Sequence, residues 1–235
     1  MAQKSEQIKS RERVREHGEV YTAEREVNAM MDLVGGAIDT FDQTILEPAC
    51  GNGNFLAPIL ERKIANIILR KPKSELEFVF NILRAVSCLY GIDIIPQNVL
   101  ETQHRLHDIA MDEYYTLSAK KKWKNYEEHI ESALIFILKK NILLGDALKM
   151  INPETGHWLH FTKWCLSHNP QVRFAFHCVE YEYRDLVNRS SKDEATMVAP
   201  EFDLYKEGMR DDTETADFWT IEDLARGRSH NDVSI

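Results

Sequence analysis

The segment Glu47-Pro-Ala-Cys-Gly-Asn-Gly53 constrains this chain more than any other. A short apolar run, Thr44-Ile-Leu46, leads into it, and Leu56, Ile59, Leu60, Ile64, Ile67 and Ile68 recur at helical spacing after it. A strand that turns through two glycines into an amphipathic helix brings bare backbone close to whatever lies at the strand's end. Glycine permits the tight turn and the close approach because it has no Cβ. The helix N-terminus beyond it offers free N–H groups and partial positive charge, which suit a carboxylate or a phosphate. A dinucleotide fingerprint would need a further glycine where Phe55 and Leu56 stand, and no Gly-Lys-Ser/Thr follows for a Walker-type loop.

The surrounding periodicities give the frame. Val27, Met30, Met31 and Val34 predict a helix over residues 24–34, ended by Gly35-Gly36. Helices are expected over 55–70 and 75–86, separated by Lys71-Pro72-Lys73. Residues 89–95 form an apolar strand signal interrupted by Gly91 and Asp93, and Pro96 then opens a helix reaching about Leu117. Another helix over 126–139 precedes a third strand at 141–146, with two more strand candidates at 158–166 and 172–183. Strands alternating with helices predict an α/β chain with a doubly wound parallel sheet and helices on both faces. Ligands in such sheets sit at the carboxyl ends of the strands. The loop at 47–54, Asp93 and Asp146 each fall at such an end.

A carboxylate at Asp93 can accept two hydrogen bonds from a ribose diol, and one at Asp146 can accept from an adenine amino group; the plain alternative for either is a cap or turn former. The 235 residues are enough for one core. The expected division is a polar, helical lead-in over 1–17, one domain over 18–189, and an acidic, weakly structured tail over 190–235.

No apolar run reaches the roughly 18 residues that span a bilayer. The first sixteen residues are charged and lack the apolar stretch of a secretory signal. Cys50, Cys88, Cys165 and Cys178 form no Cys-x-x-Cys pair, which points to a reducing compartment and makes the cytoplasm the expected location. Cys165, His168, His177 and Cys178 make a poor zinc set, since adjacent His177 and Cys178 on a strand face opposite ways, so no metal is expected. The formal charge of −9 argues against a chain that grips DNA alone. Two basic clusters, Lys120-Lys121-Lys122 with Lys124 and Arg11, Arg13 and Arg15, read most plainly as solvated faces.

Residues 45–56, Ile-Leu-Glu-Pro-Ala-Cys-Gly-Asn-Gly-Asn-Phe-Leu, strongly resemble the cofactor motif of the adenine-specific DNA methyltransferases of restriction–modification systems and phages. Gly18-Glu-Val-Tyr21-Thr22 is similar to that family's N-terminal Tyr-Thr-Pro motif, with Ala23 in place of the proline. Gly91-Ile-Asp93-Ile and Leu144-Gly-Asp146-Ala-Leu148 resemble its ribose-side and adenine-side motifs, so the resemblance covers about residues 17–150. It implies a Rossmann-like class I sheet and S-adenosylmethionine as cofactor. Tyr21 and Thr22 would border the methionine end, and Glu47 would meet its amino group. Ala49, Gly51 and Gly53 would supply backbone around it. Asp93 would bind the ribose, and Asp146 with Ala147 the adenine. Phe55 would pack beneath the loop or belong to the helix core.

The family's catalytic Asn/Asp-Pro-Pro-Tyr/Phe tetrapeptide, which positions the flipped adenine, is found nowhere in the sequence. The nearest candidates are Asn169 and Pro170 within His168-Asn-Pro-Gln171, which lacks the second proline and the aromatic. Three functions therefore compete. One is methyl transfer to adenine in DNA, with a departed motif or a partner subunit. Another is a degenerate relative that keeps the cofactor pocket and serves as a regulatory or decoy subunit in a homo- or hetero-oligomer. The third is a small-molecule enzyme that consumes the cofactor. Trp158, Phe161, Trp164, Phe174 and Phe176 read as sheet-packing aromatics, one of which could stack on a base.

Overall fold

A computed structural model of the chain describes residues 29, 40, 43–166, 174–190 and 218–220. The lead-in expected over 1–17, nearly all of the helix expected over 24–34, and most of the tail beyond 190 lie outside the described residues.

Strands β1 (Ile45–Glu47), β2 (Leu89–Asp93) and β3 (Ile142–Leu144) form a parallel sheet in the order β1-β2-β3. The register pairs Glu47 with Gly91 and Asp93 with Leu144, which aligns the three strand ends. Each crossover carries two helices: α1 (Leu56–Leu69) and α2 (Glu75–Ser87), then α3 (Pro96–Lys121) and α4 (Glu127–Asn141). The chain is thus a mixed α/β protein built on a parallel sheet. Among the described residues no helix is long and apolar enough to cross a membrane.

Local chemistry explains the helix ends. Ser74 caps α2 by accepting from the Glu77 N–H at 3.1 Å, while the Glu77 carboxylate accepts from the Lys73 N–H at 2.9 Å. Acidic residues in that first turn also suit the helix dipole. Pro96 opens α3, and Lys122 closes it in the left-handed conformation. The stripe on α1 predicted from sequence is buried as Leu56, Ile59, Leu60, Ile64 and Ile67, each contributing roughly 1.5–3 kcal/mol by leaving water. Lys63, on the same helix and fully buried, donates from Nζ to the carbonyls of Thr40 and Gln43, which fixes the chain as it enters β1.

The remaining strands differ from expectation. Strands β4 (His160–Leu166) and β5 (Ala175–Glu182) exist where the periodicity puts them, yet they pair antiparallel with each other and with β6 (Phe218–Thr220) in a second sheet. The link from Leu166 to Ala175 explains this, since a parallel crossover needs roughly a dozen residues or more. A fifth helix, α5 (Tyr183–Ser190), follows β5. The second sheet packs on the face of β2 that bears Tyr90 and Ile92: the Tyr90 hydroxyl donates to the Thr162 carbonyl at 2.7 Å, and its ring meets Phe161 edge-on.

Candidate functional site

The turn after β1 is held from three sides. Cys50 donates its N–H to the Ile92 carbonyl at 2.9 Å, which ties the turn to β2. Gly51 donates to Asp93 Oδ2 at 2.9 Å, and the Gly51 carbonyl accepts from the Thr102 hydroxyl on α3 at 2.8 Å. Arg105, one turn further along α3, reaches Asn54 Oδ1 at 2.7 Å. Gly51 and Gly53 both have positive φ, +53° and +81°, and a Cβ on Gly53 would come within 3.3 Å of the Thr102 side chain. Both glycines are therefore used for backbone shape, and Gly53 for space as well.

Asp93 is nearly buried, and its carboxylate already has work. Oδ1 accepts from the Ile95 N–H at 2.8 Å and the Asn98 amide at 3.2 Å, while Oδ2 accepts from Gly51. With about four lone-pair sites on a carboxylate, one remains for a ligand hydroxyl, where the sequence alone allowed a pair of such bonds. Asp146 is engaged too. Its Oδ1 accepts from the Leu148 and Lys149 N–H groups, both at 3.0 Å, and its Oδ2 lies 3.1 Å from Lys149 Nζ. The Lys149 N–H and then its ammonium hold the Asp146 carboxyl below its ordinary range. Asp146 is thus a turn former as well as a rim residue.

Between these strand ends lies a hollow of about 210 Å³, lined by Pro48 and Ala49 from the turn, Asp93 and Ile94 from β2, and residues 145–148 after β3. Its floor depends on Gly145: a Cβ there would lie 2.5 Å from Leu159 Cδ1 and 3.0 Å from Ile92 Cγ2. Two apolar side chains stand open at the rim, Ile94 at 55% and Leu148 at 93% exposure. Glu47 sits beside it, with Oε1 accepting the Ala49 N–H at 3.2 Å. Burial pushes the Glu47 carboxyl up, and the Ala49 N–H offsets part of that rise. Cys50 faces inward; burial, and then the Asp93 charge, push its thiol up to about 12, so it serves as core rather than nucleophile.

No protein-family model, curated protein or solved structure matches this chain.

Of the residues singled out in the sequence, Ala49, Asp93, Asp146 and Ala147 line one hollow. Gly51 is bonded to Asp93, Glu47 stands beside the turn, and Gly53 shapes the turn's exit toward α1. Tyr21, Thr22, Asn169 and Pro170 lie outside the described residues. Sequence reasoning included Ile94 and Leu148 in motifs without giving them a role at the rim, and missed Asn98, Thr102 and Arg105 behind it. The last three had a signal, since positions i, i+4 and i+7 of a helix opened by Pro96 share one face. A larger hollow of about 320 Å³ lies between α2 and Phe174, lined by Lys73, Glu77, Phe80, Asn81 and Arg84. None of the three strand-end landmarks reaches it.

Proposed function

We propose that this chain binds S-adenosylmethionine as a relative of the adenine-specific DNA methyltransferases, on a doubly wound, Rossmann-like class I sheet, and directs methyl transfer to the exocyclic amino group of adenine in DNA. One observation carries the reading. Three polar landmarks, separated by more than forty residues each in the sequence, meet at the carboxyl ends of adjacent parallel strands around a single hollow.

The residues present fit the nucleoside end of that cofactor. A purine would lie between Ile94 and Leu148, whose exposure is otherwise costly, and one ribose hydroxyl would take the remaining lone pair of Asp93. At about 210 Å³ the hollow is smaller than the ~300–1,000 Å³ that encloses a whole drug-sized ligand. The methionine end would therefore run along the 48–54 turn, with Glu47 facing its ammonium group. When bound, the cofactor supplies an electrophilic methyl group. The chain's own part is to orient it, through backbone at Gly51 and Gly53 and carboxylates at Glu47 and Asp93. The setting proposed is a cytoplasmic restriction–modification or phage system.

A second reading is a cofactor-binding subunit that has lost base positioning and works beside an active partner. The missing Pro-Pro-aromatic tetrapeptide and the charge of −9 favour it. Calorimetry with S-adenosylmethionine and S-adenosylhomocysteine tests the shared claim. Micromolar binding that is lost in Asp93→Ala is expected, and indifference of the wild type to both compounds would overturn both readings. Transfer of labelled methyl to adenine-containing DNA, with and without candidate partner subunits, then separates the two.

A further inference from the structure

The sequence offers five aromatic residues between 158 and 176 that could pack or stack. The structure sorts them. Phe161, Trp164 and Phe176 are buried, and Phe174 sits edge-on against Phe80 at 5.2 Å. Trp158 remains 44% exposed.

Its surroundings are not those of a stray surface indole. The Arg184 guanidinium lies 4.7 Å from the Trp158 ring centroid, covering one face of the ring. Arg184 is itself held in place by Glu182, at 2.6 Å, and His160 lies 3.7 Å from the other oxygen of that carboxylate. The Trp158 carbonyl is within 2.9 Å of His160 Nδ1. Backbone bridges run Asp146 to Ile151 and Ile151 to Trp158. Trp158 thus stands two strand spacings, about 10 Å, from the rim of the hollow. The next residue, Leu159, is pinned against Gly145 in the floor, so this position cannot drift relative to the site.

We propose that Trp158, backed by Arg184, is a stacking platform for an unpaired adenine base of a nucleic-acid strand. The inference rests on the proposed function and names the residue that engages the base. An indole with a guanidinium on one face presents a π surface on the other, and the cation serves the adjoining phosphate. Lys149, 74% exposed on the same rim, is ion-paired with Asp146 at 3.1 Å, so a phosphate along this path would share it with that carboxylate. This local chemistry suits a strand whose bases are splayed from a duplex. It also places an exposed aromatic surface beside the hollow, bordered by two cations that are ion-paired with Glu182, Asp185 and Asp146.

The test titrates the full chain, saturated with S-adenosylhomocysteine, into a fluorescently labelled single-stranded oligodeoxyadenylate and reads anisotropy. Trp158→Ala is expected to weaken binding roughly tenfold, and Trp158→Phe to keep most of it. An abasic strand of equal length should bind the wild type roughly tenfold less tightly and show no response to Trp158→Ala. Equal binding of the adenine and abasic strands by the wild type overturns the proposal without recourse to any variant. So does a Trp158→Ala protein that binds oligodeoxyadenylate like the wild type. Calorimetry on the same samples keeps the two claims apart. Cofactor binding with no Trp158 effect sinks only the platform, whereas a wild type blind to the cofactor sinks the proposed function.

Discussion

The Gly51 amide donates to Asp93 Oδ2 across 2.9 Å, so the turn that ends β1 is fastened to the carboxylate that ends β2. Asp93 is therefore part of the scaffold before any ligand arrives. Asp93→Ala leaves the Gly51 and Ile95 N–H groups and the Asn98 amide without this acceptor, which should cost about 2–3 kcal/mol in urea unfolding of the ligand-free protein. Asp93→Asn should act more locally. Its oxygen can face Ile95 and Asn98, but its amino group then opposes the Gly51 N–H. Hydrogen exchange should speed up at Gly51 and stay slow at Ile95; equal protection at both would contradict this arrangement.

Gly145→Ala should overpack the floor of the hollow, because the new methyl would lie 2.5 Å from Leu159 Cδ1 and 2.9 Å from Cδ2. A loss of about 1–3 kcal/mol is expected. The clash is with one side chain, so a double-mutant cycle with Leu159→Ala should show the Gly145→Ala cost shrinking in the smaller background. Additive effects would mean that the strain lies elsewhere.

Glu75 concerns stability alone. Its nearly buried carboxylate accepts from the Tyr114 hydroxyl at 2.7 Å and from the N–H groups of Asn125 and Tyr126 at 2.9 and 3.0 Å. Burial pushes the Glu75 carboxyl up, but these bonds outweigh it and hold the group below its ordinary 4.5. A depressed carboxyl stabilises the fold above the ordinary value, and that contribution disappears as pH falls through the folded one. Glu75→Gln should therefore cost roughly 1.5–3 kcal/mol at neutral pH, and thermal melts should find its acid sensitivity flatter than the wild type's.

Glu47 should behave in the opposite sense. Burial raises its carboxyl above 4.5, so ionisation disfavours the ligand-free fold as pH rises through the folded value. A ligand ammonium would reverse that penalty. Affinity for S-adenosylmethionine is expected to rise with pH across this range, and Glu47→Gln to remove the slope while leaving the ligand-free protein no less stable at neutral pH. Calorimetry at pH values on both sides of the transition reads the first effect, and thermal melts read the second.

Residues with strong periodicity were legible in the sequence. The stripe from Leu56 to Ile67 gave α1, the break at Lys71-Pro72-Lys73 set off α2, Pro96 marked α3, and the strand signals at 44–46, 89–95 and 141–146 gave the parallel strands. Partnership was harder to read. Alternation shows that β4 and β5 are strands, but only the short link between Leu166 and Ala175 reveals that they pair with each other. The candidate site divides in the same way. Spacing placed Asp93 and Asp146 at strand ends, yet it carries no information about how many of their lone pairs the backbone consumes. Helix α5 begins at Tyr183, the last residue of the strand expected over 172–183. Tyr183, Leu186 and Val187 do fall at helical spacing, but a stripe of three residues does not stand out from the strand before it.

Asn141 closes α4 fully buried, donating its amide hydrogens to the carbonyls of Ser87 and Leu89 and accepting the Trp164 indole N–H on its Oδ1 at 2.8 Å. A single carboxamide is thus a rivet between the start of β2 and the middle of β4. The hairpin that carries Trp158 toward the hollow cannot detach on its own without stripping buried polar groups of their partners. The two sheets should consequently melt together, and any movement that opens the strand ends will carry the aromatic platform with it.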